Sequence, residues 1–344
     1  MTAEDKSKSG VNIIDVSGFI YRVFYAFPSL SYNMPLSKPS ESELQQEGDC
    51  GLQLKSSESE LLLGDTERRS GAYLEVREHS STGSTQQETD CGGFEKREVG
   101  ALYGFCIVML KLTSRFPNSM FIAACDHSRQ TFRNEIYDGY KANRATVPEA
   151  LLPQIPLIKE ACSRFGFVMA ELPGFEADDI IATYTSMLRH RYGVNIISSD
   201  KDLMQLICDD QVTLYDPVKH RYITEEDVIK KFGVTPDKVL DVLAIIGDDA
   251  DNIPGITKIG QKTAAAWINE FGSLENLIAN LEKLPPSKRR TSLAEEAHIA
   301  VMSKKLVALR CDLDLPFEYK VATQNGLSDF FKLYGFNSLL KMAD

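Results

Sequence analysis

The stretch GFEADDIIA, residues 174–182, sets three carboxylates within four positions and then continues into apolar residues. Two like charges about 4 Å apart repel by roughly 4 kcal/mol at an effective dielectric constant of about 20, so the charges of Glu176, Asp178 and Asp179 must be offset. One interpretation is the acidic first turn of a helix, because apolar residues recur at helical spacing from Ile180 onward. The other is a cation site. This stretch alone does not decide between them.

Three further acidic residues follow short β-branched runs: VNIID ends at Asp15, MFIAACD at Asp126 and VNIISSD at Asp200. Each run precedes a helical or loop segment, which predicts strands alternating with helices in a parallel sheet. The segment FVMAELPGFEADD predicts a fourth strand, a Pro-Gly turn and a helix start, and Asp202 points the same way as Asp200 if the chain stays extended. Ligands of such sheets bind beyond the carboxyl ends of the strands. Four converging acidic elements therefore favour a cation site.

The second half of the chain is predicted to be helical. TEEDVIKKFG and TPDKVLDVLAIIG lead into GDDADNIPGITKIGQKTAAAWINEFG, which predicts two helices joined by a Gly-rich loop. Such a loop can hold a phosphate on free backbone N–H groups, although many helical hairpins turn on glycine without binding one. Asp248 and Asp251 precede the loop on one face of a turn. We predict an α/β domain over residues 1–222 and an all-α domain over 223–344, with the two-helix element at 244–272.

Residues 31–98 differ in composition from the rest of the chain. They are rich in Ser, Glu, Gln and Gly, which predicts a mostly disordered insertion in the first domain. Residues 30–98 carry 14 acidic and 7 basic side chains, hence −7 of the total charge of −11. If the clustered carboxylates face a metal, the remaining surface has a charge of about +4 or +5, so the acidic composition does not exclude a phosphate-bearing partner.

Composition bounds the class of protein. With 344 residues and 43% hydrophobic content, the chain can bury the cores of two domains. No apolar run approaches the roughly 18 residues of a membrane span, and the start lacks a signal or import pattern. The seven cysteines form no C-x-x-C pair, which favours reduced thiols in an intracellular protein over a disulfide framework or a cysteine zinc site. Nucleus, organelle and cytoplasm are not distinguished.

Six segments, in order, resemble the 5'-nuclease domain of bacterial DNA polymerase I and its relatives in the flap endonuclease family. They are IIDVSGFIYRVFYAFPSL, CDHSRQTFRNEIYDGYKANR, GFEADDIIA, ISSDKDLMQL, IIGDDADNIPGITKIGQKTA and FFKLYGFNSLL. The resemblance covers nearly the whole chain except the insertion. It implies an α/β fold with a parallel-sheet (PIN-like) nuclease core and a C-terminal all-α helix-hairpin-helix (H3TH) domain. It also implies a metal-dependent 5'-3' exonuclease and structure-specific 5'-flap endonuclease that acts on DNA and RNA-primed 5' ends in replication or repair.

The resemblance carries functional residues onto matching positions. Two Mg²⁺ ions, for which Mn²⁺ can substitute, would be held by the nine acids Asp15, Asp126, Glu176, Asp178, Asp179, Asp200, Asp202, Asp248 and Asp251. Nine carboxylates exceed what two ions bind directly, so some act through water. We expect one ion to be bound by Asp126, Glu176, Asp178 and Asp179 and the other by Asp200 and Asp202, with Asp15, Asp248 and Asp251 farther from the ions.

The resemblance also assigns the basic and glycine positions. Catalytic roles fall on Arg22, Lys141 and Arg144, and DNA contacts on Arg133, Tyr140, Gly255, Gly260, Lys262 and Thr263. A K⁺ ion is implied at the helix-hairpin-helix. For Tyr140, stacking on an unpaired base and packing in the core remain equal interpretations. YKANR alone would more simply be a solvated helix face, and the resemblance reverses that preference.

Two departures and two other functions stay open. The first departure is the insertion, which occupies a link that in relatives is short and lies near the bent duplex. The second is that the chain stops where the nuclease domain ends, so we expect a stand-alone nuclease recruited by an unidentified protein. We expect the protein to be a monomer that does not bind a membrane. Its expected partners are DNA with a 5' flap or 5' end and RNA:DNA hybrid. The alternatives are a structure-specific DNA-binding protein with weak catalysis and an RNA-directed nuclease of the same fold.

Overall fold

A six-stranded sheet organises the first half of the protein. The computed structural model describes residues 10–27, 30–35, 94–208 and 211–343. The strands are β1 (Val11–Asp15), β4 (Met120–Ala124), β5 (Val168–Ala170), β6 (Val194–Ile197), β7 (Val212–Asp216) and β8 (Arg221–Ile223). Their order is β5-β4-β1-β6-β7-β8, and every pair is parallel except β7 with β8. Every residue of β1 and β4 is buried, as expected for a sheet covered on both faces.

Helices cover the two faces of the sheet. α1 (Val16–Ala26), α2 (Gly100–Arg115) and α4 (Gln154–Arg164) pack on the face that presents Ile14, Phe121 and Ile197. α5 (Ala177–Leu188) packs on the opposite face, which presents Ile13 and Ile122. α3 (Phe132–Ile136) is a short helix on the connection between β4 and α4.

The second half is helical, as predicted. It contains α6 (Glu225–Phe232), α7 (Val239–Ile246), α8 (Gln261–Phe271), α9 (Leu274–Ala279) and α10 (Lys288–Val307). Buried residues of these helices join α5 and one face of the sheet in a single apolar cluster. No helix among the described residues is long and apolar enough to cross a membrane.

The last two helices return to the α/β half. α11 (Leu327–Leu333) and α12 (Asn337–Ala343) join the apolar cluster of α1, α2 and α4. The rings of Phe331 and Phe165 lie 6.4 Å apart, and those of Phe336 and Tyr103 lie 5.2 Å apart. The domain boundary at residue 222 therefore stays a prediction. Residues 327–343, which the prediction assigned to the all-α domain, pack on the helices of the α/β half instead.

The two ends of the predicted insertion are ordered strands. β2 (Ser31–Pro35) and β3 (Phe94–Glu98) pair antiparallel, and the backbone N–H of Val99 donates to the Leu30 carbonyl at 2.9 Å. The prediction of a mostly disordered insertion over 31–98 did not include these two strands, because a backbone ladder between distant segments leaves no trace in composition. Residues 36–93, the rest of the predicted insertion, lie outside the described residues.

We predict that residues 36–93 can be replaced by Asn-Gly without loss of stability. Pro35 pairs directly with Phe94, so a two-residue turn fits between the strands. The melting temperature should not fall and should rise by a few degrees, because a much shorter connection between the paired strands costs less closure entropy. Replacing residues 31–98 by the same turn is the control; it also removes Tyr32, which packs on the core, and should lower the melting temperature. Equal losses in both variants would contradict the prediction.

Candidate metal centre

The carboxyl ends of three central strands bring acidic residues to one edge of the sheet. β4, β1 and β6 are neighbours, and Asp15, Asp126 and Asp200 lie at or just beyond their carboxyl ends. The negative charges of Asp200 and Asp126 act on Asp15, and those of Asp200 and Asp15 act on Asp178. The structure thus gathers carboxylates from separate segments where strand order predicted them.

Asp15 is fixed at the junction of β1 and α1. Its Oδ1 accepts a hydrogen bond from the backbone N–H of Gly18 at 2.8 Å, and its Oδ2 accepts one from the Ser198 hydroxyl at 2.8 Å. Burial raises the pKa of Asp15 to about 6, the bond from Gly18 opposes that rise, and the charge of Asp200 adds to it. Asp15 is therefore a carboxylate held in place at an energetic cost to its ionised form.

The start of α5 contributes the acids of the opening stretch. Glu176 is the N-cap of α5, and the backbone N–H of Ala177 donates to Asp126 Oδ1 at 2.8 Å. Both carboxylates thus lie at the positive end of a helix dipole. Asp178 lies in the first turn, where burial raises its pKa well above the usual range and the charges of Asp200 and Asp15 add to the rise. The interpretation as a helix start is therefore confirmed, and the stretch lies within a cluster of acids, while the cation site stays a prediction.

A second group of acids follows β6. The backbone N–H of Asp202 donates to Asp200 Oδ1 at 2.9 Å. Among the described residues, the buried Oδ1 of Asp202 has no hydrogen-bond partner, and burial, then the charge of Asp200, raises the pKa of Asp202 to about 7. Asp248 and Asp251 of the helical half also repel it. Lys201 Nζ lies 2.7 Å from Asp248 Oδ2.

These donors fit hard divalent cations. Within the described ranges, no three Asp, Glu, His or Cys side chains already converge closely enough to enclose an ion. However, Asp15, Asp178 and Asp202 are oxygen donors whose ionised forms are disfavoured by burial and mutual repulsion, and one oxygen of Asp202 is unpartnered. A cation that prefers oxygen ligands would relieve both conditions.

Two basic side chains of the turn 139–145 lie at the rim of this cluster. Lys141 Nζ is 2.7 Å from Glu176 Oε1 and 3.7 Å from Asp251 Oδ2, and the side chain is 19% exposed. Burial alone would lower the pKa of Lys141, but Glu176 and Asp251 outweigh it and raise the pKa. Arg144 Nε donates to Asp251 Oδ1 at 3.1 Å. Both side chains therefore carry their charge at neutral pH, and both bind acids of the cluster.

Tyr140 lies in the core. It is 4% exposed, and its hydroxyl donates to Glu176 Oε2 at 3.0 Å. Burial, followed by the charge of Glu176, raises its pKa above the usual range. Of the two interpretations, this arrangement matches core packing; base stacking is not available to a ring so enclosed.

Arg133 and Asp179 form a buried ion pair. Arg133 Nη1 and Nη2 each donate to Asp179 at 2.7 Å, and the side chains are 1% and 0% exposed. Asp179 Oδ1 also accepts from the backbone N–H of Arg310 at 3.0 Å, and Arg133 Nε donates to the Leu306 carbonyl at 2.7 Å. The predictions that Arg133 contacts DNA and that Asp179 binds a metal are wrong, because the polar atoms of both are occupied inside the protein.

The remaining predicted contacts lie on two surfaces. Arg22 is exposed on α1, seven positions after Asp15. Gly260 precedes α8 on the surface with Lys262 exposed beside it, whereas the N–H of Thr263 already donates to the Gly260 carbonyl at 3.0 Å. Gly255 is enclosed: a Cβ there would lie 2.1 Å from the Ile246 carbonyl oxygen. Its role is therefore close backbone packing, and Gly260 and Lys262 form the accessible part of the element.

Three supporting residues were missed by the sequence analysis. The Ser198 hydroxyl donates to Asp15 and accepts from the backbone N–H of Asp200 at 3.0 Å, and Ser17 Oγ accepts from the backbone N–H of Asp126 at 2.9 Å. The third is Lys201, which pairs with Asp248. For the two serines, the sequence offered one signal, a small polar residue two positions from a strand-end acid. Ser17 lies two positions after Asp15, and Ser198 lies two positions before Asp200.

Comparisons with known families match both halves. The family model "5'-3' exonuclease, N-terminal resolvase-like domain" matches residues 72–233, and "5'-3' exonuclease, C-terminal SAM fold" matches residues 234–328. These matches confirm the predicted fold class, a mostly parallel-sheet domain followed by a helical one.

Similar proteins include exonucleases and longer polymerases. A 5'-3' exonuclease of Aquifex aeolicus is 37% identical over 252 residues, which is 72% of this chain and 86% of that protein. A DNA polymerase I of Rhizobium leguminosarum is 42% identical over 256 residues, 71% of this chain but 25% of the polymerase. The chain therefore spans about a quarter of the length of that relative.

Solved structures share the fold. The T5 5'-exonuclease with bound divalent metal ions (zinc) superposes with a TM-score of 0.58 at 19% identity, covering 98% of this chain and 97% of that one. The catalytic core of Rad2 in complex with DNA substrate gives 0.51 at 16% identity, covering 98% and 93%.

We predict that Arg133→Met lowers the free energy of unfolding by about 3–5 kcal/mol, because Asp179 is left buried and unpaired. Urea denaturation at neutral pH measures the loss. Arg144→Met is the control: Arg144 is half exposed, so the loss of its pair with Asp251 should cost less than about 1 kcal/mol. Similar losses in the two variants would contradict the structural role of Arg133.

We predict opposite effects for the neighbouring acids Asp178 and Asp179. The raised pKa of Asp178 means that its ionised form destabilises the fold above that pKa, so Asp178→Asn should raise the melting temperature in EDTA at neutral pH. Saturating Mg²⁺ should stabilise the wild type by about 2–3 kcal/mol and the Asp178→Asn variant by much less.

Asp179→Asn is the matched control for that measurement. It removes the partner of Arg133 and should lower the melting temperature in EDTA, while most of the Mg²⁺-dependent rise should persist. A Mg²⁺-dependent rise that depends on Asp179 and not on Asp178 would contradict the assignment of the two acids.

Proposed function

This chain belongs to the 5'-3' exonuclease family, and on that premise we propose that it is a metal-dependent nuclease acting as a 5'-3' exonuclease and 5'-flap endonuclease on DNA. The observation that carries the proposal is the gathering of carboxylates from the ends of β1, β4 and β6 and the start of α5 at one sheet edge, with Lys141 at their rim. Acids in that arrangement have few structural uses, because their repulsion costs stability. They suit divalent cations instead.

Phosphodiester hydrolysis needs an activated water and neutralisation of the charge on the phosphate. Bound divalent ions supply both by lowering the pKa of a water and by binding the phosphate oxygens. Asp126, Glu176 and Asp178 would hold one ion, and Asp200 with Asp202 would hold the second. Mg²⁺ suits these oxygen donors, with Mn²⁺ as a substitute.

Lys141 and Arg144 would stabilise the negative charge that develops on the phosphate. Both remain cationic at neutral pH, and both are held at the cluster by Asp251 and, for Lys141, by Glu176. Fixed positive groups aimed at developing charge are among the largest contributions to catalysis. Arg22, exposed on α1, would contact the phosphate from another side.

The start of α8 would bind the duplex. Gly260 and Lys262 present an open helix start and a positive side chain to the phosphate backbone, with K⁺ as a further ligand of the same loop. DNA with a 5' flap is the proposed substrate, and RNA-primed ends, a monomeric state and an intracellular location belong to the same proposal. The buried Cys106, Cys125 and Cys162, which form no disulfide within the described part of the chain, support the last of these.

We predict that the protein cuts a 5'-labelled DNA flap on a nicked duplex near the flap junction when Mg²⁺ is present and not in EDTA. Asp178→Asn should slow single-turnover cleavage by a factor of about 10² or more while flap binding persists, because it removes a metal ligand and leaves the DNA surface unchanged. Asp314→Asn, at an exposed acid far along the chain, is the matched control and should cleave like the wild type.

Other outcomes separate the alternative functions. Tight flap binding without cleavage under Mg²⁺ or Mn²⁺ would support a structure-specific DNA-binding protein. Faster cleavage of a matched RNA substrate than of DNA would support an RNA-directed nuclease. Normal cleavage by Asp178→Asn would overturn the metal assignment.

A further inference from the structure

The turn 139–145, which carries Lys141 and Arg144, is fastened to a hairpin of the helical half. The backbone N–H of Lys141 donates to the Asp251 carbonyl at 2.9 Å. The side-chain amide of Asn252 donates to the Gly139 carbonyl at 2.6 Å, and that of Asn143 donates to the Asp249 carbonyl at 2.7 Å. Two segments more than a hundred residues apart thus meet through backbone and amide bonds as well as through the charged pairs.

The hairpin that supplies these bonds is tightly closed. Asp248 and Ile253 exchange backbone hydrogen bonds of 2.9 and 2.8 Å. Gly247 has a φ of 72°, and a Cβ on it would lie 2.4 Å from the Ile253 carbonyl oxygen. Asn252 adopts the left-handed conformation, φ 54° and ψ 36°, which asparagine tolerates better than most residues. The Asn252 amide is therefore aimed from a well-defined backbone.

The turn, by contrast, holds a residue in an uncommon conformation. Lys141 has a φ of 54°, which few residues other than glycine adopt. Such a conformation persists where surrounding bonds enforce it. The turn has its own bonds, from the N–H of Ala142 to the Gly139 carbonyl and from that of Arg144 to the Lys141 carbonyl, and the hairpin adds those from Lys141 to Asp251 and from Asn252 to Gly139. The direction in which the Lys141 ammonium points thus depends on the hairpin.

We propose that Asn252 is a positioning residue that holds the turn 139–145 so that Lys141 faces the carboxylate cluster. The hairpin continues directly into the residues 255–264 that precede and begin α8, so duplex contacts there stabilise the same hairpin that holds Lys141. Asn252 thereby links binding of the duplex to placement of a cation at the phosphate. This inference rests on the proposed function, since Lys141 needs its position only if a phosphate is cleaved.

Two substitutions separate this role from a purely structural one. Asn252→Gly accepts the left-handed backbone and removes the amide. Asn252→Asp preserves the shape and faces the Gly139 carbonyl with an acceptor in place of a donor. Asn269→Ala is the matched control, because the Asn269 amide donates to the Gly233 carbonyl at 2.8 Å, a bond of the same kind at the far end of α8.

The test compares cleavage rate, DNA affinity, stability and hydrogen exchange. Single-turnover cleavage of the flap at saturating DNA should fall about 10- to 100-fold in both Asn252 variants, because misplacing a catalytic group by about 1 Å has effects of that size. The Kd for the flap should change less than about threefold and the melting temperature by a few degrees at most. Amide exchange in residues 139–145 should be faster in Asn252→Gly, and Asn269→Ala should match the wild type in all four.

Unchanged cleavage in both Asn252 variants would overturn the proposal, as would a rate loss that appears only together with a collapse of the melting temperature. The proposed function is tested separately, since it requires that the wild type cleaves. A wild type that cuts alongside Asn252 variants that cut equally well would refute the positioning role alone.

Discussion

Repulsion among carboxylates at the carboxyl edge of the sheet is the constraint on which the rest of the structure depends. Burial and mutual repulsion raise the pKa values of Asp15, Asp178 and Asp202, so ionising them together costs free energy that the fold must supply. The protein meets this cost with fixed donors. These are the Ser198 hydroxyl, the backbone N–H groups of Gly18 and Ala177 at the starts of α1 and α5, and the ammonium groups of Lys141 and Lys201, each of which binds acids of the cluster.

The adjacent acids of α5 show how one position along a helix changes the role of a carboxylate. Asp179 is turned into the protein and paired with Arg133, which ties α3 and the end of α10 to α5. Asp178, one residue earlier, faces the strand ends and other acids. The buried ion pair thus fixes the position of α5, the helix that carries Asp178. An electrostatic interaction therefore supports the site as well as acting within it.

The sequence predicted what depends on local pattern. Strand runs ending in Asp15, Asp126 and Asp200 indicated both the parallel sheet and its acidic edge, because the rule that strand ends converge needs no knowledge of packing. It did not reveal the partner of Arg133, since a basic residue beside a DNA-binding motif looks the same whether it is buried or exposed. The pairing of Ser31–Pro35 with Phe94–Glu98, and the docking of α11 on α4 and of α12 on α2, were also hidden, because these are contacts between segments far apart in the chain.

The return of α11 and α12 to the face formed by α2 and α4 has a consequence for how such a protein can be recombined. The helical segment from α6 to α10 is entered from β8 and left by a chain that runs back to the sheet, so both of its ends are anchored on the same neighbour. A single crossover near residue 222 would strip Phe331 and Phe336 from the rings of Phe165 and Tyr103. Exchange of this segment between relatives therefore requires two junctions, as for a domain inserted within another domain. A single junction would be enough only if the two domains followed one another along the chain.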